Sequence, residues 1–270
     1  MSASFSIFHT VDIALYVILY PGVVLCLGLM LGSFSTALID RVPKGISWVY
    51  DRRLGSARSA CPSCRTVLGF ADLVPLFSWV FLKGRCRHCG ARIGATYPLA
   101  ELACVAGCLG IFAAHGLNGP SLLMMLAMPF LVALFVIDLR HRIVPPHLVV
   151  ILTGIGLCYL LTAFPLPDGG LIVAGRLGFG LVCLLVASAV CLTGERWLNR
   201  VGMGWEEVKI VGAAGVWIGL EGLPLFCIAT GVIWASLGFF FEYVKKYPLL
   251  PLGPALISAL YVVLTLNARG

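Results

Sequence analysis

"LLMMLAMPFLVALFVID", residues 122–138, is an unbroken apolar run that ends on one carboxylate, Asp138. A run of this kind reads as a helix crossing a membrane, and an acid at membrane depth is costly unless it has a partner or a role. The rest of the chain sets the context. Hydrophobic residues make up 60% of the 270, and mean hydropathy is +1.01, well above the roughly half apolar content of soluble domains. Barrel-type alternation is absent, so helices are the spanning elements. The expected fold class is an all-α multi-pass membrane protein. About eight transmembrane helices are expected, near 13–39, 97–115, 121–139, 146–164, 171–194, 207–221, 223–241 and 249–267. The sixth is the shortest and is rich in Gly. The opening "MSASFSIFHTVD" carries no Lys or Arg, so it lacks the basic start of a signal peptide and precedes a retained helix.

Basic residues orient the chain. Seventeen of the nineteen Lys and Arg fall on one side of this arrangement, ten of them between Arg41 and Arg92, which leaves Arg176 and Arg269 opposite. Cytoplasmic loops retain Lys and Arg, so both termini are expected to face outward. The net charge of +7 follows from this topology in contact with membrane lipid, and nothing in it calls for nucleic acid. No repeat or low-complexity tract is present, and no motif specifies an oligomeric state.

Residues 1–40 thus carry the first transmembrane helix, 41–96 form a cytoplasmic loop domain and 97–270 hold the remaining spans. The loop contains Cys61 and Cys64 in "CPSC", and Cys86 and Cys89 in "CRHCG". Two such knuckles have the spacing of a four-thiolate zinc site, in which Gly90 eases the second turn. A reducing compartment makes disulfides the poorer reading. His88, between two cysteines, is expected to be exposed. A fully ligated zinc has no open position, so the metal is structural and the chemistry lies elsewhere. The other seven cysteines, Cys26 to Cys227, sit in apolar spans as small hydrophobes.

Asp138 taken alone pairs with Arg140 or Arg142 in the simplest reading. The topology offers another. Asp138 leaves the third span on the side from which Glu207 enters the sixth, within "GMGWEEVK" (202–209). Two carboxyls at one depth can share a proton, one acting as base toward water while the other polarises a peptide carbonyl. Gly202 and Gly204 would let the backbone bend there.

These residues resemble a known family. "GSFSTALIDRVP" (32–43), the paired cysteine knuckles, "RIGATYPLAELA" (92–103), "VIDLRHRIVPP" (136–146), "GMGWEEVK" and "LPLGPALISAL" (250–260) occur in the order found in type IV prepilin peptidases. The resemblance implies an eight-helix inner-membrane aspartic endopeptidase, with 97–270 as its transmembrane peptidase domain. Such an enzyme cleaves the basic leader of type IV prepilins or type II secretion pseudopilins. It then N-methylates the new first residue with S-adenosylmethionine. It further implies Asp138 and Glu207 as the catalytic pair, Lys209 as support, and Gly32 and Glu101 in methyl transfer. Glu101 also reads as an interfacial charge in a first helical turn, and Lys209 as a headgroup anchor. No dinucleotide-type glycine fingerprint marks a methyl-donor site.

Departures are specific. The family's GxGD reads Gly202-Met203-Gly204-Trp205-Glu206-Glu207 here, with Glu206 at the place of glycine and Glu207 at that of aspartate. Glu206 therefore puts a bulky charge where unusual torsions are expected, and Glu207 adds a methylene. Pro146 follows "IVP" where an acid is usual, and Ser35-Thr36 stands for Leu-Asn. The function expected is the bifunctional peptidase and methyltransferase. The alternative is a proteolytically impaired relative retaining methylation or a scaffolding role. A membrane transporter is more distant, because paired broken helices in two halves are missing.

Overall fold

The computed structural model describes residues 19–47, 59–61, 63–166, 169–197, 204–245 and 251–266. The helices are α1 (Tyr20–Arg41), α2 (Phe77–Phe81), α3 (Thr96–His115), α4 (Gly119–His141), α5 (Pro146–Ala163), α6 (Gly170–Trp197), α7 (Trp205–Lys245) and α8 (Gly253–Leu266). Among the described residues there is no strand beyond two isolated bridges. Six helices (α1 and α3 to α7) are long and apolar enough to cross a membrane, and α8 is a shorter apolar helix.

Helix α4 is the hub. It begins with a reciprocal capping box, in which Ser121 N donates to Asn118 Oδ1 at 2.8 Å and Asn118 N donates to Ser121 Oγ at 2.9 Å, satisfying amides that the first turn leaves unpaired. It packs on α1, α3, α5 and α8. Of its apolar window 67% is buried, against 39% or less in the other spans. Asp138 therefore rides on the best-anchored helix of the bundle. Small residues bring neighbours close, as expected where lipid removes the hydrophobic drive between helices. A Cβ on Gly28 would lie 2.9 Å from Val105 Cα, and one on Gly32 would lie 2.7 Å from Glu101 Cα, so α1 and α3 touch backbone to backbone. In "VGAAGVW", Gly215 approaches Gly180 Cα of α6 in the same way, at 2.9 Å.

The sixth and seventh expected spans form one element, α7, of 41 residues. A straight helix of that length would run about 60 Å, roughly twice the hydrocarbon thickness. It does not run straight. Gly219 adopts φ 62°, ψ −172°, a conformation open to glycine alone. Both ends of α7 consequently return to the Asp138 end of the bundle: Glu206 bonds Val144 N, while Phe241 shares a groove with Arg140 and Arg142. Against the eight expected spans, six helices are long and apolar enough to cross, the 41-residue α7 being divided into two arms by its break and the 14-residue α8 being shorter. The first begins at Tyr20 among the described residues, so positions 13–18 of the expected span lie outside them. The last begins at Gly253 instead of 249.

Breaking a helix frees backbone groups that must find other partners. Arg176, one of the two basic residues expected on the side opposite the cysteine loop, supplies a partner from within α6. Its Nη1 donates to the Trp217 carbonyl at 2.7 Å, and Glu221 lies 3.6 Å from its Nη2. Trp217 is 1% exposed, donates Nε1 to Leu152 O at 3.1 Å and stacks on Tyr159 at 5.4 Å. Gly156 leaves the room, since a Cβ there would meet Trp217 Nε1 at 2.7 Å. Replacing Trp217 by Ala is expected to lower the unfolding free energy by about 3–5 kcal/mol. Denaturation in detergent, followed by the loss of helical circular dichroism, measures it; a cost under about 1 kcal/mol would mean that the break is held by other contacts.

Candidate active site and metal centre

Asp138 lies in the last turn of α4, and its carbonyl accepts from Arg142 N at 2.9 Å. Arg142 takes the left-handed conformation (φ 56°) that ends the helix. The carboxyl is 2% exposed, and Oδ2 has no hydrogen-bond partner among the described residues. The strongest charge acting on it is Glu207, followed by Glu206, with Arg142 as the cation. Glu207 sits in the first turn of α7 and its N–H donates to Gly204 O at 3.1 Å. Its longer arm folds back over that turn: a Cβ on Gly204 would lie 2.5 Å from Glu207 Oε2. Gly204 thus makes the space for the extra methylene. Gly202 lies outside the described residues.

Glu206 and Lys209 have a different place from the one expected. Glu206 is not strained, as no positive φ occurs there. Its Oε2 accepts from Val144 N at 2.7 Å and from Lys209 Nζ at 2.8 Å, and the same Nζ donates to Val144 O at 3.2 Å. Lys209 therefore holds Glu206 and not Glu207. The pair grips both backbone groups of Val144, in the bend between α4 and α5, where no helix supplies partners. The bulky charge expected to disturb the glycine position is a clamp between α7 and the chain just after Asp138.

A further contributor carried no signal beyond its quoted motif. Gly253 opens α8, and a Cβ there would fall 2.1 Å from Asp138 Oδ2. Any side chain at 253 would occupy the space of the carboxyl. Beside this site a groove of about 850 Å³ runs between α3, α4 and α8, apolar along Met128, Leu131 and Tyr261 and closed at one end by Arg140 and Arg142. Arg140 is bonded to Thr96 Oγ1, which joins the end of α4 to the start of α3.

The four loop cysteines converge. Cys61 and Cys89 Sγ are 3.9 Å apart, Cys64 and Cys86 Sγ 4.0 Å, and all four lie within 4.8 Å of one another. A tetrahedral ion bound at about 2.3 Å needs sulfurs about 3.8 Å apart, so the four thiolates fit a metal ion. The two knuckles are built alike. Arg65 N and Gly90 N reach back to the carbonyls of Cys61 and Cys86, and both residues have positive φ, 59° and 70°. Arg65 takes unaided the turn that Gly90 eases in the second knuckle. His88 is exposed, as expected. The Thr66 hydroxyl and amide pull Cys64 down to about 6, and the amides of Cys89 and His88 lower Cys86. For Cys89 the Ala91 amide opposes, but desolvation and the sulfurs of Cys64, Cys86 and Cys61 push it up to about 11.

Gly32 and Glu101 meet as the helix contact described above. The Glu101 carboxylate reaches out of that contact to accept from Leu76 N at 2.7 Å, where Leu76 has φ 61° just before α2. It ties the cysteine loop to α3.

Residues 26–115 match the bacterial peptidase A24 N-terminal domain, and residues 125–239 match the type IV leader peptidase family. The chain is 30% identical, over 91% of its length and 90% of the relative's, to the prepilin leader peptidase/N-methyltransferase of Aeromonas salmonicida (strain A449). The chain belongs to the type IV leader peptidase family. Proteins with the same name from Stutzerimonas stutzeri (32% identical, 89% of this chain and 88% of the relative) and Xanthomonas campestris pv. campestris (30%, 88% of each) are similar over a like extent. No solved structure matches the chain. Within this family frame, Gly32, the four cysteines and Glu101 fall in the first matched region, and Asp138, Glu206, Glu207 and Lys209 in the second. Gly253 lies beyond both.

The thiols fix the sign of a metal test. A metal ion takes the place of thiol protons, so affinity falls as pH falls. The Thr66 contacts favour the thiolate of Cys64, so this sulfur is readied for a cation. Metal held at pH 7 is expected to leave on acidification, at a pH below that at which the free thiols take up protons, and Cys64→Ser to lose it at neutral pH. A chromophoric chelator titration measures both; metal retained by Cys64→Ser would remove that residue from the ligand set.

Proposed function

We propose that the protein is a membrane aspartic endopeptidase and N-methyltransferase. It removes the basic leader of type IV prepilins or type II secretion pseudopilins and methylates the new N-terminus with S-adenosylmethionine. The observation that carries this reading is the Asp138 carboxyl, buried and unpartnered at Oδ2 with Glu207 as the strongest charge upon it, in a chain of this family. The geometry supports a pair that holds one proton between two acids, since like charges close together do not both ionise. The ionised member takes a proton from water as that water attacks the scissile carbonyl. The protonated member donates to the carbonyl oxygen. Glu206 and Lys209 position the pair by gripping Val144, and the 850 Å³ groove suits an apolar substrate helix.

In this reading residues 41–96 are the cytoplasmic loop domain and 97–270 the peptidase part, with the acids at the inner face of a bacterial inner membrane and both termini outside. The four cysteines would hold a structural zinc, which supplies cross-linking of the loop and no open coordination site. Membrane lipid surrounds the bundle, and nucleic acid has no part.

Co-expression with a pilin precursor in cells lacking their own processing enzyme tests the proposal, with intact-protein mass spectrometry of the pilin as readout. Leader loss with one added methyl group supports it. A full-length pilin in the presence of folded protein would favour the second reading, an impaired relative, on the specific ground that Glu207 is folded back over Gly204. Asp138→Asn and Glu207→Gln are each expected to lower the cleavage rate by about 10²–10⁴-fold. Lys209→Met, which leaves both acids but releases Val144, is expected to cost about 10–100-fold through misplacement. Wild-type rates in either acid variant would remove that acid from catalysis.

A further inference from the structure

Between the two cysteine knuckles runs "GFADLVPLFSWVFLKGR", residues 69–85. Six of its apolar residues, Phe70, Leu73, Val74, Phe77, Val80 and Phe81, recur at the three- and four-residue spacing of one helix face. In a soluble domain such a stripe turns toward the core. Here it turns outward. Phe70 is 96% exposed, Phe81 80%, Val80 64% and Phe77 56%, and Leu73 and Val74 are exposed as well. Apolar side chains scattered singly over a surface need no cause, but a dense patch of them marks a surface that something covers.

The local structure keeps the stripe outward. A single 3₁₀ turn (Phe70–Asp72) and α2 carry most of it, separated by Pro75 and by Leu76 with φ 61°. Arg87 holds the first turn by donating Nε to Asp72 Oδ1 at 2.8 Å. In α2 the largest ring is the one turned inward. Trp79 Nε1 donates to Ile93 O at 3.1 Å, and the ring lies over Gly84, where a Cβ would meet it at 3.0 Å. Ser78, Trp79 and Leu82 line a cavity of about 320 Å³ beneath the loop. Lys83 and Gly84 then take positive φ, 51° and 66°, which ends α2 sharply. Lys83 and Arg85, both exposed, therefore follow Phe81 at once.

Two observations identify the cover. The first is the level of the patch. Leu76 N, at the start of α2, is bonded to Glu101, which stands five residues beyond Thr96, where the apolar stretch of α3 begins. Five residues of helix advance about 7.5 Å, within the roughly 5–10 Å at which interfacial elements lie in a bilayer. Leu99 and Leu102, flanking Glu101, are 62% and 52% exposed, so lipid reaches α3 at the level where the loop is tied. The second is charge. An aromatic face followed by basic residues matches the boundary between acyl chains and anionic headgroups. We propose that residues 70–85 anchor the cysteine loop in the membrane surface. Phe70, Phe77, Val80 and Phe81 enter the headgroup–acyl boundary, and Lys83 and Arg85 meet the phosphates of anionic lipid. The bilayer thus holds the loop from outside while Glu101 holds it from within. The anchor does not depend on the reaction assigned to the acids.

Photolabelling tests the anchor. The full-length protein is placed in nanodiscs of phosphatidylethanolamine and phosphatidylglycerol, the latter carrying a diazirine on its acyl chain, and labelled peptides are located by mass spectrometry. Label within residues 70–81, besides that on the spans, supports the proposal. A stretch left unlabelled while the spans take label overturns it, and amine cross-linking through Lys83 to a second chain would then name a second copy as the cover. Lys83→Gln and Arg85→Gln are each expected to lower the label on this stretch by about fivefold, with the label on the spans unchanged as the internal standard. Equal labelling of the stretch in those variants and the wild type overturns the headgroup contact. Phe77→Ser combined with Phe81→Ser is expected to abolish the label while the loop keeps its metal. If that double variant loses its metal, the charge variants, which leave the apolar face intact, decide the matter.

Discussion

The grip of Glu206 and Lys209 on Val144 sets the geometry on which the site depends. Helices α4 and α7 are brought together mainly through α5 and α8 and not by a broad face of their own. A half-exposed ion pair such as Lys209–Glu206, with side chains 31% and 37% exposed, contributes little stability by itself. Its value lies in register. Val144 N and O sit in a bend without helical partners, and one acid and one amine satisfy both at once. That fixes the first turn of α7 against the residues that follow Asp138, so the charges of Glu206 and Glu207 are felt at Asp138.

The glutamate at 207 follows from the same economy of space. A side chain one methylene longer than aspartate cannot occupy the same volume extended. It folds over Gly204, where no Cβ obstructs it. On the other side of the pair Gly253 leaves the room that the Asp138 carboxyl occupies. Gly204, just before α7, and Gly253, at the start of α8, thus each leave room for a carboxylate in an otherwise apolar bundle. The helix break at Gly219 solves the opposite problem at the far end, where Arg176 and Trp217 absorb the groups that the break exposes. The break at Gly219 and the bend at Val144 each have polar partners, which a low-dielectric interior favours.

Among the described residues the cysteine loop is coupled to this bundle by a directional contact, Glu101 to Leu76, and cavities lie beneath it. A metal held by the knuckles would stiffen the roof of those cavities without touching the acids.

Much of this was legible in the amino-acid order alone. Run length and composition determine helices and a membrane setting because lipid leaves no other way to satisfy a backbone. The spacing of Cys61, Cys64, Cys86 and Cys89 determines a four-sulfur cluster because each knuckle is a local turn. Asp138 and Glu207 stand out because acids are rare beside apolar runs. What the order of residues left open depends on contacts distant in sequence. Whether Lys209 serves Glu206 or Glu207 turns on the position of Val144, 65 residues away. The room at Gly253 exists only because α8 returns to α4, and Arg176 finds its carbonyl only because α7 breaks at Gly219. Local patterns fix which segments are helical, since that is settled within a few turns. Partners for buried charges are settled by packing, which only the assembled tertiary structure supplies.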